Sequence, residues 1–188
     1  MAEKGIMVGL SKTLRAIFLV LILHSLCSWG QGLEPRKESE VKAAYLFTFL
    51  KYLDCEGKAS DPIIIAVVGK EAFSGELNKY AGREIKGRKV QVVYLDHSSD
   101  EVKKPIKCHL LYIDDSALLF QKELIKLYQP FKPLTIADNE WFLESGGMIN
   151  LVEVSRKIRW EVNHKVIKDT EIAISSKVLR LAVNKEKK

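Results

Sequence analysis

From Glu38 to Asp54, apolar or weakly polar residues return at spacings of three and four, through Val41, Ala44, Tyr45, Thr48, Phe49, Tyr52 and Leu53. That spacing predicts a helix with one wide apolar stripe, and Ser39 stands where a cap is needed at its start. The pattern then changes. Asp61-Pro62 ends a loop, and Ile63–Val68 is a continuous apolar, largely β-branched run closed by Gly69, as expected of a strand covered on both faces in the middle of a sheet. A short helical piece is expected to run to about Tyr80. Gly82 and Gly87 flank a turn before a second strand at Val90–Leu95, and Cys108–Ile113 reads as a third. Asp114-Asp115 can cap a helix over Leu118–Tyr128 that Pro130 and Pro133 stop, and Leu134–Ala137 follows as a fourth strand.

Strands alternating with helices predict a single α/β domain with a largely parallel central sheet flanked by helices on both faces. The remainder has a different rhythm. Gly146-Gly147 leads into Met148–Val154, which Ser155-Arg156 connects tightly to Lys157–Val162, predicting a C-terminal antiparallel β-hairpin on the same sheet. Ile158, Trp160 and Val162 alternate with Arg159 and Glu161, so one face of the hairpin is covered and the other exposed. A final helix is expected after Ser175-Ser176, carrying Val178, Leu179, Ala182 and Val183.

The first thirty residues follow another pattern. Lys4, Lys12 and Arg15 precede the apolar run Ala16–Leu23, which continues with interruptions to Cys27. A basic region before an apolar stretch too short to span a bilayer comfortably is the form of an export signal. Small residues at Ser28 and Gly30 place the expected cleavage between Gly30 and Gln31. The expected organisation is therefore a signal peptide at 1–30, a flexible leader at 31–37, an α/β domain at 38–184 and a basic tail at 185–188. Cleavage would remove three basic residues and one acidic residue, so the net charge falls from +6 to +4 over 158 remaining residues. Such a product is expected in the periplasm, without direct insertion into the membrane. Its interspersed charges, with no recognised nucleic-acid module, argue against a nucleic-acid partner.

Few residues carry chemistry. His97, His109 and His164 lack the close spacing of a metal site. His109, at the start of a buried strand, reads as a packed imidazole. Ser74-Gly75 and Ser145-Gly146-Gly147 lack the flanking pattern of a nucleophile turn. Val67-Val68-Gly69-Lys70 ends a strand without the glycine pattern of a phosphate loop. Asp114-Asp115 and Asp138-Asn139-Glu140 lie at strand ends, where open α/β sheets place ligands, although helix capping and turns also account for them. These observations predict no enzyme, metal or cofactor, and a role in binding. With Cys27 in the signal segment, Cys55 and Cys108 remain, and they are compatible with either a disulfide or two unpaired thiols.

The stretch from Glu40 to Tyr52, EVKAAYLFTFLKY, resembles the opening helix of the YfiR/HmsC-like periplasmic proteins. Further matches follow in order: 64–69 (IIAVVG), Gly82–Val92 with its repeated G-[RK] pattern, 108–113 (CHLLYI), 133–138 (PLTIAD), 146–150 (GGMIN), 158–163 (IRWEVN) and 174–182 (ISSKVLRLA). The resemblance implies a periplasmic regulator that binds the sensory domain of an inner-membrane diguanylate cyclase and restrains it, lowering cyclic di-GMP and biofilm formation. It also implies partner-binding roles for Ile149, Glu161 and Ile167. A homodimer is left open. The family's better-known repressor pairs the cysteine matching Cys108 with one where this chain has Ala66, so that bridge is not expected here. The rival reading is a small-molecule sensor with a pocket at the strand ends near Gly69, Asp114 and Asp138.

Overall fold

A computed structural model describes residues 37–183, apart from residues 56, 59, 70–71, 99–101 and 171. The expected signal segment, most of the leader and the basic tail lie outside the described residues. No helix among the described residues is long and apolar enough to cross a membrane.

One seven-stranded sheet forms the centre, in the order β2-β3-β1-β4-β5-β6-β7. The strands are β1 (Ile63–Val68), β2 (Glu84–Ile85), β3 (Arg88–Leu95), β4 (Leu110–Ile113), β5 (Leu134–Ala137), β6 (Ile149–Val154) and β7 (Lys157–Val162). Neighbours from β3 to β6 pair in parallel, while β2–β3 and β6–β7 are antiparallel. The apolar run of β1 has the expected place, between β3 and β4, with every residue but Ile64 buried. Packing on both faces is what selects such a run.

The expected two-layer covering is present. Helix α1 (Glu38–Tyr52) and the short helices α3 (His164–Thr170) and α4 (Ser176–Arg180) pack with Ile63, Ile65 and Val67 on one face. Helix α2 (Gln121–Tyr128) contributes Leu124 and Tyr128 to the other, against Ala66 and Val68. Several local expectations are corrected. The helix expected from Leu118 is a 3-10 segment over Asp115–Phe120 that becomes α-helical only at Gln121. Asp114 caps it, accepting from the Ser116 N–H at 3.1 Å. The piece before Tyr80 is broken at Phe73, Ser74 and Gly75, all at positive φ. Ser39 is not a cap: α1 already begins at Glu38, and Glu38 and Glu40 in its first turn complement the helix dipole instead.

The apolar face of α1 is also shifted. Its deepest residues are Ala43, Leu46, Phe47, Phe49 and Leu50, whereas Tyr45 and Thr48 of the expected stripe are half-buried and Tyr52 is exposed. The helix is apolar around most of its circumference, and the neighbouring elements decide which part becomes the flank. The hairpin turn Ser155-Arg156 holds both residues at positive φ (51° and 61°). This is the geometry that matches strand twist in two-residue loops.

At the amino end of the sheet, buried Arg88 ties down the loop after α1. Its Nε donates to the Asp61 carbonyl at 2.8 Å, Nη1 to Cys55 at 2.9 Å and Nη2 to Pro62 at 3.2 Å. His109 lies beside it and accepts from the Ile64 N–H through Nδ1 at 3.1 Å. It is a packed, hydrogen-bonded ring, as its place in the strand implied.

Candidate functional site

The hairpin strand β7 lies at the edge of the sheet, and its pleat turns consecutive side chains to opposite faces. Trp160 packs edge-on against Tyr45 and Phe49 of α1, with ring centroids 5.2 and 5.4 Å apart. Its Nε1 donates to the Val178 carbonyl at 3.0 Å, joining β7 to α4, and the Tyr45 hydroxyl donates to the Ile158 carbonyl at 3.1 Å. The side chains between α1 and α4 leave a groove of ≈ 380 Å³, walled by aromatic rings and rimmed by Lys177 and Arg180. Tyr52 and Leu181 remain 39% and 66% exposed there. A partly open aromatic surface with a basic rim has the composition of a protein-binding patch.

Glu161 lines a second crevice of ≈ 350 Å³, shared with Lys42, Asp138, Asn139 and Asn150. Lys42 Nζ donates to both Asp138 and Glu38, tying α1 to the end of β5. Burial alone would lower the Lys42 pKa, but its bonds to Asp138 and Glu38 outweigh that and hold it above the ordinary value. Asn150 is buried.

Of the residues singled out for partner binding, only Glu161 stands at a surface a partner can reach. Ile149 is fully buried and Ile167 is 7% exposed, both within the core on the α1 face. They belong to the packing that shapes the hairpin and α3. Cys55 and Cys108 are free thiols, half-buried and buried respectively, and line one recess with His109. Burial pushes the Cys108 thiol up to about 12 and also raises that of Cys55, against the pull of Arg88 and Lys86. Neither is primed as a nucleophile.

Among the described residues, Gly69, Asp114 and Asp138, expected to share a strand-end pocket, are not brought together in any of the crevices described. Gly69, at φ +127°, lies so close to Asp114 that an added Cβ would stand 2.6 Å from its Cβ, so this gap between β1 and β4 is filled. Only Asp138 reaches the crevice beside β6. Burial, followed by the charges of Asp138 and Asp114, raises the Asp115 carboxyl. Burial, with Asp138 nearby, also raises the Tyr112 hydroxyl. Among the described residues no group of His, Cys, Asp and Glu is arranged to hold a metal ion.

Sequence reasoning missed Lys42 and Asn150, and treated Asn139 only as part of a strand-end turn. The available signal was polarity out of place: a lysine within an apolar helix and an asparagine inside the buried run of β6. Helix α3 was also missed, although Asn163 announces it by accepting from the Val166 N–H at 3.2 Å.

The chain is an α/β domain with an open, mostly parallel sheet, a C-terminal hairpin and surface crevices. The sequence profile of the YfiR/HmsC-like family matches residues 39–183, and the chain belongs to that family. No curated protein matches it. A conserved domain protein from Vibrio cholerae O1 biovar El Tor is similar in structure, with TM-score 0.55 and 13% identity. The alignment covers 78% of this chain and 59% of that one, so the present chain spans less than two thirds of that structure. An ABC domain in complex with L-Trp from Streptococcus pneumonia aligns at TM-score 0.47 and 13% identity, covering 64% of this chain and 54% of that one.

Proposed function

We propose that this protein is a non-catalytic regulator in the bacterial periplasm. It docks on the sensory domain of an inner-membrane diguanylate cyclase and restrains it, lowering cyclic di-GMP and biofilm formation. Family membership supports the signalling role, and the observation that carries the docking surface is the aromatic groove between α1 and α4, with Trp160 at its base. Large rings supply binding area at little conformational cost, and the basic rim of Lys177 and Arg180 favours an acidic partner surface. Glu161, on the other side of the same strand, extends the contact around the hairpin edge.

The test is capture from membranes combined with measurement of cyclic di-GMP. Deleting the gene should raise cyclic di-GMP, and the tagged protein should retain a membrane cyclase. Leu181→Asp and Arg180→Glu alter exposed groove positions, and each should weaken capture at least about tenfold while leaving the melting temperature near that of the parent. Unchanged cyclic di-GMP in the deletion strain, with no cyclase captured, would overturn the assignment.

A further inference from the structure

The crevice beside Glu161 arises from a mismatch in strand length. β5 ends at Ala137, which is in register with Asn150, while β6 continues to Val154 with no described strand on that flank. The first turns of α1 close one side, and the chain leaving β5 at Asp138-Asn139-Glu140 closes another. Two buried primary amides line this space without complete hydrogen bonding. Asn150 is 3% exposed and its Oδ1 has no partner; Asn139 is 9% exposed and both its Oδ1 and Nδ2 have none. Leaving such a group dry costs about 1–3 kcal/mol, so sites that retain several are usually completed by water or by a ligand.

The charges decide which ligand. Lys42 is engaged by Glu38 and Asp138, whereas Glu140, Glu153 and Glu161 line the crevice with no ion-pair partner among the described residues. Five carboxylates surround one ammonium. Anions are repelled from such a site, and amide oxygens and carboxylates both accept hydrogen bonds. Leu151, Val152 and Ile158 add apolar surface, which suits an organic body better than a bare ion.

We propose that this crevice binds a small organic cation of the guanidinium or ammonium class, with Asn139 and Asn150 accepting its N–H groups and Glu140 and Glu161 neutralising its charge. The crevice shares no lining residue with the aromatic groove, although Glu161 also belongs to the proposed docking edge; the inference stands without the cyclase reading, because amine binding is measured on the purified protein alone.

The test is calorimetric titration of the purified protein at low ionic strength with agmatine, which carries both cationic groups. Uncharged n-butylurea and the dianion succinate serve as controls. Agmatine should bind saturably with a Kd below about 1 mM, more weakly in added salt, and the controls should not bind. Asn150→Leu removes a buried acceptor at similar size and should weaken binding about tenfold or more. The double variant Glu140→Gln/Glu161→Gln changes two positions that reach solvent and should weaken it comparably; it decides the matter alone if Asn150→Leu fails to fold. No saturable heat with agmatine, equal binding of either control, or unchanged affinity in the folded variants would overturn the proposal.

Discussion

Replacing Lys42 by methionine tests the connection between the first helix and the end of the sheet. The two ionic contacts of Lys42 differ in worth. Glu38 is a helical i,i+4 neighbour whose side chain is 59% exposed, so that contact contributes only about 0.3–0.5 kcal/mol. The Lys42 and Asp138 side chains retain just 16% and 14% exposure. Removing one partner from a fully buried pair costs about 3–5 kcal/mol, and the residual access to water here reduces that to about 2–3 kcal/mol. Methionine preserves most of the apolar stem, so little of the loss comes from packing.

Urea unfolding of Lys42→Met should therefore show a loss of about 2–3 kcal/mol, equivalent to roughly 5–10 °C in Tm for a domain of this size. Combining it with Asp138→Asn should cost distinctly less than the sum of the single losses, because both remove one interaction. The pH dependence has a defined sign. The folded-state pKa of Lys42 lies above its ordinary value of 10.5, so its contribution is fully present below that pH and is lost as pH rises through the folded value. The stability gap between parent and variant should stay constant from neutral pH to about pH 10 and shrink as the pH is raised further. A loss under about 0.5 kcal/mol, or a gap already closed at pH 8, would refute the reasoning.

Arg88→Met removes the donor to three loop carbonyls and should cost about 3 kcal/mol or more in urea unfolding, while Lys89→Met beside it, on the exposed side of β3, should change stability by less than about 0.5 kcal/mol. Gly69→Ala places a Cβ 2.6 Å from that of Asp114 at φ +127°, and should lower stability by about 2 kcal/mol or more; a neutral result would show that the β1–β4 gap can open. In native protein at pH 8, alkylation monitored by mass spectrometry should modify half-buried Cys55 well before Cys108, whose thiol is pushed up to about 12. The reverse order, or fewer than two reactive thiols among these two positions in unfolded, unreduced protein, would contradict the free-thiol state.

Strong local patterns carried much of the fold into the sequence. The runs at Ile63–Val68, Leu134–Ala137 and Lys157–Val162 appear as strands with those bounds, because unbroken apolar or alternating residues between turn signals leave few other ways to bury side chains and pair the backbone. Helix α3 is only seven residues long, too short for periodicity to distinguish it from a loop, and it depends on Ile167 reaching the core. The candidate sites were less legible still. Trp160 was visible as a hairpin aromatic, but its groove depends on α4 returning to meet α1, which no local pattern specifies.

The sequence by itself determined the alternation of strands and helices, the central place of β1, the hairpin and the absence of any recognisable catalytic motif, since each follows from residue type and short-range spacing. Tertiary structure alone decided which side of the apolar helix α1 is buried, that Ile149 and Ile167 are core while Glu161 faces a crevice, and that Lys42, Asp138, Asn139 and Asn150 meet. Those side chains are separated by up to 108 positions along the chain. They converge because β6 outruns β5 at the place where α1 crosses the sheet, and strand length and helix crossing are settled by packing between distant segments.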